Sequence, residues 1–119
     1  MLKFDESARI VASESRYVAG GVNSNFRLGM GHGPLVFTHG QGPYLFDVDG
    51  NRIIDYYCGM GAMVLGHSPA GVLQAVKDQV EKGILYAGQS PVEYEAARII
   101  CERIPSAERL RFGSSGSEV

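Results

Sequence analysis

The stretch Arg109-Leu110-Arg111-Phe112-Gly113-Ser114-Ser115-Gly116-Ser117-Glu118-Val119 decides how the chain is read. Leu110 and Phe112 alternate with Arg109 and Arg111, which is the period of a strand. Ser114-Ser115-Gly116-Ser117 then makes a small polar turn with unhindered backbone N–H groups, and Glu118 suits the first turn of a helix. A strand, a small-residue turn and a helix N-terminus together form an anion site, because free N–H groups and the helix dipole converge on one spot. The same pattern also serves an ordinary strand-to-helix loop, and these residues by themselves leave both readings open. The helix is expected to continue past Val119, so the sequence reads as the front part of something larger.

Two amphipathic helices lead into this stretch. Ser90-Pro91-Val92-Glu93 is a capping box with proline at the first helical position, Ala96, Ala97, Ile100 and Ile104 form a face, and Pro105 stops the helix. Upstream of it, Ser68 is expected to cap and Pro69 to open a helix with the stripe Val72, Leu73, Val76 and Val80, closed by Gly83. Residues 84–89 between the helices read as an exposed or interface loop.

Further upstream the pattern changes to strands, at 35–39, 44–48 and 52–56. Asp49-Gly50 between apolar runs is a strong hairpin signal, so a three-stranded antiparallel meander is expected. Asp47, Asp49 and Asn51 alternate as in a calcium loop, but Arg52 stands where that loop needs glycine and Cys58 where it needs glutamate. Residues 58–67 are apolar and rich in small residues, the pattern of a buried crossing segment approached closely by another group. His67 at its end reads as a structural histidine in preference to a catalytic one. His32 and His39 show no ligand spacing.

At the start, 4–18 is expected to be a weakly amphipathic helix with Asp5 or Ser7 as cap, ended by Gly20-Gly21. The irregular segment that follows carries Ser24, Asn25 and Arg27. A guanidinium holds a carboxylate through two parallel bonds, so Arg27 is either a substrate clamp or a solvated loop residue.

Composition narrows the classes. With 119 residues, 45% hydrophobic and 20% charged, the chain has the make-up of one soluble globular domain. Its 16 glycines cluster at turns, so they do not form a low-complexity tract. The net charge of −2 comes without a basic run, which argues against nucleic acid or an anionic membrane as partner. No apolar run approaches a membrane span, and the N-terminus lacks the apolar core of a signal peptide. Cys58 and Cys101 match no metal or redox spacing, and a reducing, cytoplasmic setting is the default expectation.

Taken in order, the segments resemble the N-terminal part of the class III aminotransferases, pyridoxal-phosphate enzymes of fold type I. Within them the likeness is greatest to the glutamate-1-semialdehyde 2,1-aminomutases. It runs from about Gly20 to Val119. It is carried by Gly20-Gly21-Val22-Asn23-Ser24 with Arg27, Tyr44-Leu45-Phe46-Asp47-Val48-Asp49-Gly50, Ile54-Asp55-Tyr56, Met63-Val64-Leu65-Gly66-His67 and Ser114-Ser115-Gly116-Ser117-Glu118. The resemblance implies an α/β fold: N-terminal helix and meander over 1–67, then the start of the large cofactor-binding domain over 68–119, with the first strand of its sheet at 109–112. It implies that Ser115, Gly116 and Ser117 bind the phosphate of pyridoxal 5'-phosphate. It implies that Ser24 and Arg27 hold the substrate carboxylate, with Met60 beside the substrate where the aminomutases have tryptophan. That departure makes transamination of another substrate an alternative to mutase chemistry. A homodimer is also implied. The lysine that carries the cofactor in the family falls beyond this sequence, and Lys3, Lys77 and Lys82 match no catalytic position. A chain inactive by itself, or a non-catalytic anion-binding module, remains the competing reading.

Overall fold

The structure is a computed structural model that describes residues 1–29 and 31–118. It is α/β, with α1 Asp5–Glu14, β1 Phe37–Gln41, β2 Tyr44–Asp47, β3 Arg52–Ile54, α2 Ala70–Val80 and α3 Pro91–Arg103. Short 3₁₀ turns at Ala19–Gly21 and Asn25–Gly29 follow α1. The chain divides into two compact units, Met1–Lys77 and Asp78–Val119, and the division falls within α2, later than the change of pattern at 67.

In the first unit the expected meander is present, with strand order β1-β2-β3 and antiparallel pairing throughout. β1 begins at Phe37, not at 35, and its register slips between Phe37 and His39, a bulge that bends the edge strand. Cross-strand pairs tie the sheet: the His39 and Phe46 rings stack at 4.4 Å, and the Arg52 guanidinium lies 4.7 Å from the Tyr44 ring centre.

Polar groups, not apolar ones, are most deeply buried. Among the described residues no apolar side chain is fully buried, whereas Ser7, Asp47 and Asn51 are 1%, 4% and 8% exposed. The β2–β3 turn explains this. Asp47 accepts from the Asn51 backbone N–H and side-chain amide, both at 2.7 Å. Asn51 in turn exchanges two hydrogen bonds with the backbone of Lys3. Asp49 accepts the N–H groups of Glu6 and Ser7 at 2.7 and 3.0 Å and the Ser7 hydroxyl at 2.6 Å. These N–H groups are free donors of the first turn of α1, so the cap comes from a turn more than forty residues away, not from Asp5 or Ser7 as the local pattern suggests. Phe4 holds the N-cap position and offers no side-chain bond. The side-chain oxygens of Asp47, Asp49 and Asn51 are thereby engaged with backbone and side-chain donors of the protein itself.

α1 is also shorter than 4–18. The hydroxyls of Ser13 and Ser15 donate to the carbonyls of Arg9 and Ala12, a competition with the backbone that disfavours continuation, and the helix ends at Glu14.

Residues 58–67 are not the buried segment their composition suggests: Val64 and Leu65 are 83% and 72% exposed. Burial needs a partner surface: Gly66 and His67 find one on the β1–β2 hairpin, whereas Val64 and Leu65 stay open. Ser68 does not cap α2. It lies at φ 54°, and its hydroxyl donates to the Gly40 carbonyl at 2.8 Å. The stripe of α2 is present, yet Val72, Leu73, Val76 and Val80 each keep two-fifths or more of their surface open.

In the second unit Gly83 follows α2 at φ 110°, its N–H bonded to the Val80 carbonyl, as its place after the helix leads one to expect. Ser90 caps α3 through the Glu93 N–H with proline in the first turn, and the helix stops at Ile104 before Pro105. Arg98 bridges Glu95 and Glu102 on the exposed face. Residues 109–112 form no strand: among the described residues nothing pairs with their backbone, and an isolated strand has no partner for its N–H and C=O groups. Leu110 and Phe112 instead line an open pocket of about 320 Å³ against Ser90, Tyr94 and Ala97 of α3. Among the described residues no helix is long and apolar enough to cross a membrane.

The Asp49 cap makes α1 sensitive to acid. The Ser7 hydroxyl bond, the largest influence, holds the Asp49 carboxyl below its ordinary value against the opposing effect of burial, helped by the Glu6 and Ser7 N–H groups and the charge of Lys3. A carboxyl lowered in the folded state stabilises fully above its unfolded pKa, near 4, and loses that contribution as pH falls through the lower folded value. We expect amide exchange at Glu6 and Ser7, corrected for intrinsic pH dependence, to accelerate on acidification through that window. Asp49→Ala should exchange fast there at every pH; equal protection in variant and wild type would remove the cap from the account.

Candidate functional site

Asp55 follows β3 and organises the loop beyond it. Its Oδ1 accepts the N–H groups of Tyr57 and Cys58 at 2.9 and 3.1 Å, and its Oδ2 accepts the Gly59 N–H at 3.2 Å. His67 Nε2 lies 2.8 Å from the same Oδ2, with side chains only 7% exposed for Asp55 and 16% for His67. Burial, the largest influence, pushes the Asp55 carboxyl up. The His67 bond, the Gly59 and Tyr57 N–H groups and the charge of His67 together outweigh it and hold the carboxyl below its ordinary value.

The loop so held is strained. Cys58, Gly59, Met60 and Gly61 all have positive φ, at 49°, 58°, 65° and 94°. A non-glycine residue in this region costs roughly 1–2 kcal/mol, and here there are two. His67 is fixed from the other side. Its N–H and C=O pair with Gly42 at 2.7 and 2.9 Å, and its ring lies where a Cβ on Gly40 would come within 2.6 Å. Gly66 sits just as closely on the Gly42 carbonyl, at φ 75°, where a Cβ would approach to 2.9 Å.

The candidate substrate residues stand on this framework. Ser24 and Arg27 are exposed in and beside the Asn25–Gly29 turn, where the Ser24 carbonyl accepts the Arg27 N–H at 3.0 Å. The Arg27 guanidinium has no partner among the described residues. Met60 is 73% exposed on the strained loop. The two segments meet through the Phe26 and Tyr57 rings, 5.5 Å apart between centres. Thus Ser24, Arg27 and Met60 are carried on touching segments of one unit.

Ser115, Gly116 and Ser117 belong to the other unit. They lie in an exposed turn closed by the Glu118 N–H on the Ser115 carbonyl at 3.0 Å and by the Ser114 N–H on the Glu118 carboxylate at 2.8 Å. The N–H groups and hydroxyls of 115–117 donate to nothing among the described residues, and open space surrounds Gly116 where a Cβ would stand. This donor set fits a phosphate, which takes N–H and O–H bonds on several oxygens. The helix expected after it would involve Val119, outside the described residues.

Sequence reasoning passed over the roles of Asp55 and of the strain at Cys58 and Met60. Gly59 and Gly61 flanking Met60 are a trace of the left-handed path, but nothing local marks two non-glycine residues that share it.

The family described as Aminotransferase class-III matches residues 28–119. A curated glutamate-1-semialdehyde 2,1-aminomutase of Syntrophomonas wolfei subsp. wolfei is 40% identical over 119 residues, covering 98% of this chain and 28% of that protein. A transaminase solved with PLP bound superposes with a TM-score of 0.90 at 29% identity, over 99% of this chain and 28% of that one. A β-phenylalanine aminotransferase from Variovorax paradoxus gives 0.85 at 38% identity, over 95% and 26%. This chain therefore spans less than a third of the length of the relatives it matches.

The packing of His67 on the β1 backbone supplies a direct check. Gly40→Ala places a methyl inside contact distance of the His67 ring and should cost about 1–3 kcal/mol, read as a lower denaturant midpoint at unchanged slope. A neutral result would mean that the ring can leave its place freely.

Proposed function

The chain belongs to the class III aminotransferase family, and from that membership we propose that it is the N-terminal part of an enzyme that moves an amino group between an amino compound and a keto acid or aldehyde, with pyridoxal 5'-phosphate as cofactor. The observation that carries this reading is the 115–117 turn, whose N–H groups and hydroxyls are unengaged and suited to the cofactor phosphate. When bound, the cofactor supplies an electron-withdrawing ring that accepts the charge left when the substrate loses a proton beside its amino group.

In this reading Ser115, Gly116 and Ser117 grip the phosphate. Arg27 pairs with the substrate carboxylate through two parallel bonds, assisted by the Ser24 hydroxyl, and Met60 forms an apolar wall. The amine that holds the cofactor covalently does not come from Lys3, Lys77 or Lys82, which stand exposed and apart from these residues in sequence and role. Residues 1–119 alone are accordingly inactive. The complete protein is a homodimer: the open faces of α2, with Val64, Leu65 and Leu85, are apolar surface of the kind subunit contacts bury. It acts on small molecules and works in the reducing cytoplasm, where the free Cys58 and Cys101 persist as thiols.

Aminomutase chemistry is the second reading, favoured by the 40% identity to the Syntrophomonas protein. Met60, in place of the tryptophan of the aminomutases, speaks for transamination of a different substrate.

Arg27→Ala in the complete enzyme should weaken carboxylate binding by about 1.5–3 kcal/mol, roughly tenfold to a hundredfold, with cofactor affinity nearly unchanged. Steady-state kinetics on a substrate and on its decarboxylated analogue read this, alongside a cofactor titration. An equal loss on both compounds would assign Arg27 to the fold. Met60→Trp should move preference toward the aminomutase substrate. Sedimentation of the full-length protein at micromolar concentration tests the dimer; an active monomer overturns it.

A further inference from the structure

Four consecutive residues in the left-handed region, two of them not glycine, persist only where the surroundings over-determine them. At 58–61 the surroundings are one carboxylate and one imidazole. Asp55 gathers three N–H groups, from Tyr57, Cys58 and Gly59. His67 bonds the same carboxylate at 2.8 Å and is itself anchored to the β1–β2 hairpin by its two main-chain bonds to Gly42. The loop gains a further closure from the Met63 N–H on the Cys58 carbonyl at 2.8 Å. Two side chains emerge from this turn: Tyr57, against Phe26, the neighbour of Arg27, and the exposed Met60.

We propose that Asp55 and His67 form a positioning pair that locks the 57–61 turn in its left-handed shape, so that Tyr57 and Met60 take fixed places beside the turn carrying Arg27 and thereby set substrate fit. Neither residue touches substrate or cofactor; both act through the loop. The proposal rests on the amino-transfer reading for what is bound, while the locking of the turn by Asp55 and His67 rests on the geometry alone. A free loop would let Met60 relax to negative φ and draw Tyr57 away from Phe26, loosening the wall next to the carboxylate clamp.

The test uses the full-length protein with three variants: His67→Ala, His67→Gln, and His67→Ala combined with Cys58→Gly. Amide exchange over 55–61 and steady-state kinetics are measured together with cofactor affinity. His67→Ala should speed exchange at Tyr57, Cys58 and Gly59 and raise KM about tenfold, the scale of one lost bond to a charged group, with kcat and cofactor affinity little changed. His67→Gln, whose amide still donates to Asp55, should restore most of the KM. Cys58→Gly should restore part of it, because glycine takes positive φ without strain. If His67→Ala does not fold, Asp55→Asn carries the same measurements. Unchanged exchange at 57–59, or KM, kcat and cofactor affinity worsening in parallel with a falling Tm, overturns the proposal. The exchange readout needs no activity: an inactive wild-type protein would count against amino transfer, and exchange alone would then decide whether Asp55 and His67 lock the turn.

Discussion

A carboxylate that accepts two or three backbone N–H groups at once is the interaction on which the first unit depends. Asp49 does this for the opening turn of α1, Asp55 for the loop after β3, and Asp47 joins its own turn to Asn51. Each carboxylate satisfies donors that would otherwise be unpaired, and each ties segments together without an apolar core. Such bonds are stronger than neutral ones and directional, so they fix the path of the chain as well as its compactness.

The cost of this construction is that apolar surface stays open. The stripe of α2 is amphipathic in the ordinary way, yet Val72, Val76 and Val80 remain about half exposed. Surface of this kind is stable in a protein that covers it, which accords with relatives several times the length of this chain. The strained turn at 58–61 belongs to the same picture: conformational cost is held at the surface by Asp55 and by His67, which is anchored on the β1–β2 hairpin.

The candidate chemistry is divided between the units. The phosphate turn at 115–117 offers unengaged donors on small residues. Arg27 and Met60, the candidate substrate residues, lie in the first unit on segments that meet through Phe26 and Tyr57. In the proposed reading, substrate fit and cofactor retention would rest on separate residues.

Much was legible without coordinates. Asp49-Gly50 marked the hairpin, Ser90-Pro91 and Pro105 bounded α3, and Gly83 ended α2, because turn and cap chemistry is local and recurs wherever the same dihedral or donor problem arises. The family was legible from motifs in order. What only tertiary structure decided are the matters of partnership. Asp49 as the cap of α1 joins residues far apart in sequence, and no window of residues near α1 contains it. The 109–112 segment has the alternation of a strand but finds no neighbour among the described residues, and pairing is not a property of one segment. Residues 58–67 have the composition of a buried stretch, yet Met60, Val64 and Leu65 stand exposed, since burial depends on what lies opposite. His67 reads as structural from its setting beside glycine, but its bond to Asp55 exists only once β3 and the β1–β2 hairpin bring the two side chains within 2.8 Å.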